Sequence, residues 1–130
     1  NLLLGIGMSI ALSGCPFIPT PERSLADITY RVEMIDGTQI DMNYGIIDEE
    51  GDFFDGKYSF YQGGGPTISR TVRTETGQSV KLEVSNPLHF LEVELSIKDD
   101  GKTVVKEEFE IDHGFGSVGK CEIEYYIPTN

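Results

Sequence analysis

The chain has 130 residues and a formal net charge of −12, from 22 acidic and 10 basic side chains. No charged residue precedes Glu22, so all of this charge belongs to the part of the chain that follows. So large an acidic excess argues against a nucleic-acid partner, because the phosphate backbone would be repelled, and against adsorption to an anionic membrane surface. A basic partner or divalent cations are compatible with it, although solubility is the commoner reason for such a charge.

The first notable segment is an apolar run over residues 2–12 that ends in Leu12-Ser13-Gly14-Cys15. Its length suits the apolar part of a signal peptide and falls short of the roughly 20 residues of a membrane-spanning helix. The small residues before the cysteine resemble the lipobox of bacterial lipoproteins. The resemblance implies that residues 1–15 are a lipoprotein signal peptide ending at the lipobox cysteine, and that Cys15 is lipidated. An ordinary secretory signal, or a buried apolar segment with a chance cysteine, is the alternative.

A lipid on Cys15 would anchor the protein in the cell envelope on the extracytoplasmic side, either in the outer membrane and periplasm or at the cell surface. Pro16 rather than an aspartate follows the cysteine, which argues against retention in an inner membrane. Residues 16–23 contain three prolines, which favour an extended tether. The remaining residues, 24–130, suffice for one small domain with one core.

Alternation of apolar and polar side chains with a period of two predicts a series of strands. Residues 28–34 and 40–44 alternate in this way, and Asp36-Gly37 between them predicts a hairpin. Thr76-Gly77 predicts a turn, and Asp99-Asp100-Gly101 predicts a second hairpin. The remaining predicted strands cover residues 58–61, 71–74, 79–84, 91–97, 104–111 and 119–127.

The fold class follows from how these strands are patterned. Charged side chains occupy one face of the strands and aliphatic side chains the other, as in antiparallel sheets with one solvated side. Turns recur at intervals of about ten residues, and no segment has a helical period of 3.6. A single sheet cannot cover its own apolar face, so the prediction is an all-β, small antiparallel β-sandwich of about seven strands.

Cys121 is the second cysteine, and it has no intrachain partner if Cys15 is lipidated. In the last predicted strand Cys121, Ile123, Tyr125 and Ile127 share one face. Cys121 is therefore predicted to be a small core residue rather than a reactive thiol.

An acidic segment with aromatic residues, residues 48–56, is predicted to be a loop. Its carboxylates are oxygen ligands of the kind that Ca²⁺ prefers, and they form a weak candidate metal site. An EF-hand is excluded, because the sixth position is Phe53 instead of glycine and no glutamate occupies the twelfth. A solvated loop without metal is the default interpretation. The candidate ligands are Asp48, Glu50, Asp52 and Asp55.

No catalytic residues and no cofactor are predicted. His89 and His113 are the only histidines, and they lie on different segments without further ligands at zinc spacing. The chain contains no GxSxG, phosphate-loop or HExxH motif, and the run Gly63-Gly64-Gly65 lacks the lysine and helix of a phosphate loop. The sequence therefore favours a binding protein over an enzyme.

Aromatic residues supply the best indication of a binding surface. In the predicted strand Tyr58-Ser59-Phe60-Tyr61, neighbouring side chains point to opposite faces, so at least one aromatic ring lies outside the core. Exposed tyrosines are common at interfaces, although a single exposed ring is ordinary. The candidate binding surface consists of Tyr58, Phe60, Tyr61 and Tyr126.

Two hairpin-like stretches resemble the MmpS family. They are Ser69–Asn86, which reads SRTVRTETGQSVKLEVSN, and Ile97–Glu107, which reads IKDDGKTVVKE. Ile40–Tyr44 and the glycine-rich run before the last strand are also similar to that family. The resemblance implies an Ig-like β-sandwich on a membrane anchor, acting as an accessory to lipid and siderophore exporters of the RND class. Family members carry a transmembrane helix instead of a lipobox, and some have a cysteine pair in the last strands.

Two functions follow as expectations. The first is a lipid-anchored extracytoplasmic interaction domain, which the MmpS resemblance makes an accessory subunit of an RND-type transporter. The alternative is a free-standing surface domain that binds ligands or acts as an adhesin, with its loops at the tip making the contacts. The expected partners are the membrane, through the lipid on Cys15, and another protein.

Overall fold

The computed structural model describes residues 22–36, 39–86, 91–111 and 119–130, and it contains eight strands and no helix in these ranges. In the same part of the chain, no helix is long and apolar enough to cross a membrane. The strands are β1 (Leu25–Asp36), β2 (Ile40–Ile47), β3 (Phe53–Gly63), β4 (Thr67–Glu75), β5 (Ser79–Asn86), β6 (Leu91–Asp99), β7 (Lys102–Ile111) and β8 (Gly119–Tyr126).

The strands form two four-stranded antiparallel sheets, which confirms the predicted small β-sandwich with eight strands in place of about seven. The first sheet has the strand order β4-β1-β6-β7 and the second has β3-β2-β5-β8. The sheets approach each other closely where β7 lies against β8. Immunoglobulin constant domains pair their first two strands within one sheet, whereas β1 and β2 here lie in opposite sheets.

The core lies between the inner faces of the two sheets. Alternation along each strand sends every second side chain inward, and the register brings inward residues of neighbouring strands side by side, as for Val32 with Leu95 and Met42 with Val84. Each fully buried aliphatic side chain contributes roughly 1.5–3 kcal/mol. The core residues are Ala26, Ile28, Tyr30, Val32, Ile40, Met42, Tyr44, Ile68, Val80, Leu82, Val84, Leu91, Val93, Leu95, Ile97, Ile111, Cys121, Ile123 and Ile127.

The hairpin predicted at Asp36-Gly37 is wrong, because β1 pairs with β4 and β6 while β2 pairs with β3 and β5. The connection carries the chain from one sheet to the other, and residues 37 and 38 themselves lie outside the described residues. Alternation determines which face of a strand is buried, but both sheets bury a face, so the pattern does not distinguish pairing partners. Thr76-Gly77 forms the predicted turn and also joins strands of opposite sheets.

The hairpin predicted at Asp99-Asp100-Gly101 is confirmed between β6 and β7. Asp100 and Gly101 form its two-residue turn, with φ angles of 49° and 85°. Two residues with positive φ define a type I′ turn, whose twist matches that of the flanking strands.

The acidic loop predicted over residues 48–56 is shorter in the structure, since β3 begins at Phe53. Ile47 pairs with Phe53 and Gly45 pairs with Tyr58, so residues 54–57 form a bulge opposite the single residue Ile46. β3 is an edge strand, and edge strands tolerate the aspartate and glycine that made this segment resemble a loop.

Several predicted features lie outside the described residues. They include the lipobox and Cys15, most of the tether, His89, His113 and most of the glycine-rich run before β8. Arg23, placed at the end of the tether from the sequence, is joined to the domain, because its backbone N–H donates to the carbonyl of Thr129 at 2.8 Å.

Gly45 is a point of close approach between β2 and β3. Its φ is +152°, and a Cβ atom added to it would lie 2.5 Å from both the carbonyl oxygen of Lys57 and the Cα of Tyr58. Backbone atoms cannot move aside as a flexible side chain can, so only glycine fits between β2 and the bulged part of β3.

Replacing Gly45 with alanine is expected to cost roughly 3 kcal/mol of unfolding free energy, through the clash with β3 together with an unfavourable φ. Gly56→Ala is the matched control: Gly56 also has positive φ, at +73°, but no atom lies within 4 Å of its Cβ position. The control should cost about 1 kcal/mol, from backbone strain alone. Urea denaturation of both variants measures the difference, and equal losses would contradict the close-approach role of Gly45.

Candidate functional site

The solvent-facing side of the second sheet, called the outer face below, carries the candidate site. At one end, a row of side chains crosses all four strands, because Phe53 pairs with Ile47, Ile47 with Ser79, and Ser79 with Tyr126. Ile47 is 5% exposed yet does not belong to the core between the sheets. The outer face therefore has a small apolar patch of its own.

Three of the four predicted surface aromatics are exposed in the structure. Tyr58 is 45% exposed, and Phe60 and Tyr126 are each 58% exposed. Phe54, which the sequence placed in the acidic loop, is exposed beside them on the same strand as Tyr58. Tyr58 and Phe60 lie on edge strand β3 and Tyr126 on edge strand β8, three strand spacings or about 14 Å across the sheet.

Tyr61, the fourth predicted member, has a different position. It pairs with the inward residue Met42 and packs partly against the core. The guanidinium of Arg70 lies over its ring, 4.3 Å from the centroid. Tyr61 thus contacts both the core and Arg70, and it contributes packing and a cation–π contact between the edge strands β3 and β4.

Lys81 and Phe53 hold the turn before β3 against the outer face. The Lys81 ammonium, on a side chain only 8% exposed, donates a hydrogen bond to the Gly51 carbonyl at 2.7 Å and lies 4.8 Å from the centroid of the Phe53 ring. Phe53 in turn stacks on Tyr58 with ring centroids 4.8 Å apart. These contacts hold the exposed Tyr58 ring in place. A side chain that is already ordered loses less conformational entropy when a partner binds.

An open groove of about 600 Å³ runs beside this turn. Its apolar lining comes from Ile47, Phe54 and Tyr126, and its acidic rim from Asp48, Glu49 and Glu50. A groove with aromatic walls and carboxylates at its edge suits a cationic group on an apolar stem, such as a lysine or arginine side chain.

The candidate metal ligands are only partly brought together. Ligand atoms of Asp48, Glu50 and Asp52 lie within 4.8 Å of one another, while Asp55 does not belong to this group. One oxygen of Asp48 already accepts hydrogen bonds from the backbone N–H groups of Glu50, at 2.9 Å, and Asp52, at 3.0 Å. The cluster thus has a clear role in shaping the turn, and exposed carboxylates commonly lie together without a metal.

The rest of the outer face is acidic. One carboxylate oxygen of Glu83 lies 3.9 Å from the Lys81 ammonium and 3.3 Å from the Lys120 ammonium, so Glu83 forms ion pairs with both lysines. Glu122 and Glu124 alternate with the inward residues of β8 and are exposed. The outer face therefore presents negative charge around its aromatic residues.

Cys121 is confirmed as a core residue. It is 7% exposed, belongs to the core cluster, and forms no disulfide. Burial, with a smaller contribution from the charge of Glu122, raises the pKa of its thiol to about 12. The thiol therefore stays protonated at neutral pH and is a poor nucleophile.

A polar cluster at the end of the sandwich joins both chain ends to the β6–β7 hairpin. Arg23 binds Asp99 through two hydrogen bonds of 2.8 and 2.7 Å, and Tyr125 donates to the same carboxylate at 2.6 Å. Arg23 also donates to the carbonyl of Pro128 at 3.1 Å. The hydrogen bonds from Arg23, and to a lesser extent from Tyr125, lower the pKa of Asp99 against the opposing effect of burial. Asp99 is only 7% exposed, so its carboxylate is used in contacts within the protein and the cluster is structural.

No family model, curated protein or solved structure matches this chain. The stretches that resemble MmpS proteins fall on β4 with β5 and on β6 with β7. Only the second of these is a hairpin in the structure. The function is therefore argued from the residues of this chain.

Replacing Asp99 with asparagine is expected to lower the unfolding free energy at pH 7 by roughly 2 kcal/mol, because the charge-assisted bonds from Arg23 weaken. The lowered pKa of Asp99 stabilises the fold above the ordinary carboxyl value of about 4, and this contribution disappears as the pH falls through the folded-state pKa. The stability curves of wild type and variant should therefore converge below about pH 4. Glu107→Gln, on the exposed part of β7, should leave the curve unchanged. A constant gap down to pH 2 would contradict this account.

Proposed function

We propose that this protein is a lipid-anchored extracytoplasmic interaction domain that binds another envelope protein through the outer face of its second sheet. The observation that carries the proposal is the set of exposed aromatic side chains on that face, Phe54, Tyr58, Phe60 and Tyr126. Large, rigid rings offer contact area at a small cost in side-chain entropy, which is why they concentrate at interfaces.

The charge of the outer face indicates the chemistry of the partner. Acidic residues surround the aromatic ones, and the whole chain has a net charge of −12. A partner surface with lysine or arginine side chains beside apolar groups would complement both properties, and the opposite charges would accelerate encounter at low ionic strength.

The expected anchor limits where the partner can lie. Because Arg23 is joined to the domain, the expected tether consists of residues 16–22, which reach at most about 25 Å when fully extended. A partner bound to the outer face would thus lie close to the membrane. An accessory role on a membrane transporter, which the MmpS resemblance suggests to be of the RND class, fits this restriction better than a free-standing adhesin that reaches away from the cell.

In-cell photo-crosslinking tests the proposal. A photo-reactive phenylalanine analogue placed at Phe60 should capture a membrane protein that mass spectrometry identifies, and an RND-type transporter would support the accessory role. The same analogue at Ile35, which is 50% exposed on the first sheet, is the matched control. Capture of cell-wall or external proteins alone would favour the free-standing ligand-binding or adhesin module. Equal capture from both positions would reject the outer face as the binding surface.

The double change Phe60→Ser and Tyr126→Ser should reduce recovery of the captured partner at least about tenfold, the loss expected when aromatic anchors are removed. Both rings are more than half exposed, so the melting temperature should move little, with less than about 0.5 kcal/mol lost per site. Ile35→Ser is the control and should leave recovery unchanged. Large losses of stability would instead make these rings structural.

Cys15→Ser should transfer the protein from the membrane fraction to the soluble fraction, because the acyl chains provide the anchor and each buried CH₂ contributes roughly 0.8 kcal/mol. Cys121→Ala removes the other cysteine and should leave the protein with the membranes. Fractionation and immunoblotting measure both, and a Cys15→Ser protein that stays membrane-bound would contradict lipidation at this position.

A further inference from the structure

The edge of the sandwich opposite the β7–β8 contact contains a second, separate cavity. A cleft of about 320 Å³ lies between the edge strands β3 and β4, one from each sheet. Its walls come from residues 56–59 of β3 and 72–75 of β4, and Tyr30 of β1 and Tyr44 of β2 also line it. Cavities of this volume are within the range that holds small organic molecules.

Two buried tyrosines with unused hydroxyl groups distinguish this cleft from an ordinary gap. Tyr30 is 1% exposed and Tyr44 is 7% exposed, and their ring centroids lie 5.1 Å apart. Among the residues that the structure describes, no protein group forms a hydrogen bond with either hydroxyl. Buried tyrosine hydroxyls nearly always have a partner, because leaving one without a hydrogen bond is costly.

Within the described part of the chain, Lys57 supplies an unpaired positive charge at the rim of the cleft. Lys57 and Arg73 line the cleft with one carboxylate, that of Glu75. Arg73 also contacts Asp27 at 3.2 Å, while the ammonium of Lys57 forms no ion pair within the described ranges. With Arg73 paired to Asp27, Lys57 is the cation at the cleft that remains available to a ligand, in a chain whose net charge is −12. Burial raises the pKa of Tyr30, so its hydroxyl keeps its proton and acts as a donor.

We propose that this cleft binds a small organic acid, whose apolar body packs against Val72 and Ile46 and whose carboxylate accepts hydrogen bonds from the hydroxyls of Tyr30 and Tyr44. Lys57 at the rim would provide the complementary charge. Phenol hydroxyls form short, strong bonds to carboxylates, which offsets the cost of removing the acid from water. The site is independent of the outer-face proposal, although Tyr58 lines the cleft as well as stacking on Phe53.

Methyl NMR of the full chain, labelled at isoleucine and valine, tests the site with benzoate and hexanoate as probes. Either acid should shift the methyl signals of Val72 and Ile46 in a saturable manner. Tyr30→Phe removes a single oxygen and should weaken binding about tenfold, as expected for one charge-assisted hydrogen bond. Tyr126→Phe removes a hydroxyl from the outer face and should leave the affinity unchanged.

Three results would overturn the proposal. They are the absence of saturable shifts with both acids, equal affinity of Tyr30→Phe and wild type, and equal saturation of the same signals by benzylamine, which has an ammonium in place of the carboxylate. The stability of the ligand-free protein tests independently whether the Tyr30 hydroxyl lacks a hydrogen bond. Loss of an unpartnered hydroxyl should leave the urea midpoint of Tyr30→Phe unchanged or raise it, and a lower midpoint would show that the hydroxyl is already satisfied.

Discussion

The structure depends on the mutual burial of two apolar sheet faces. Neither sheet can shield its inner face alone, and together they enclose a core that runs from Ala26 to Ile127. The connections from β1 to β2, from β3 to β4 and from β4 to β5 all carry the chain between sheets. The formation of the two sheets is therefore coupled, since several consecutive strands belong to opposite sheets, and the many pairings between distant residues favour slow rather than rapid folding.

Because the inner faces supply the core, the residues on the outer faces are not constrained by core packing. The outer face of the second sheet carries aromatic residues among acidic ones. Lys81 and Phe53 fix the turn that borders the groove. The polar cluster of Arg23, Asp99 and Tyr125 lies elsewhere, at the end of the sandwich where the chain ends meet. Stability and the proposed recognition are thus located in different parts of the molecule.

The two edges of the sandwich also differ. One is closed by contact between β7 and β8, and the other leaves a cleft whose lining includes the buried residues Tyr30 and Tyr44. The bulge of β3 opposite Ile46, made possible by the close approach at Gly45, shapes that open edge. The bulge in edge strand β3 therefore lies beside both the cleft and the exposed ring of Tyr58.

The sequence by itself determined the class of fold, the inward faces of the strands, the core position of Cys121 and the Asp100-Gly101 turn, because each follows from local periodicity or from the φ angles that a turn requires. It also indicated Tyr58, Phe60, Tyr61 and Tyr126 as candidate surface residues, and all of these except Tyr61 are exposed in the structure. Only the tertiary structure decided strand pairing, and with it the sheet change after Asp36, the covering of Tyr61 by Arg70, the row from Phe53 to Tyr126 and the cleft at Tyr30. These features depend on which distant strands become neighbours, and alternation along one strand contains no information about its partner.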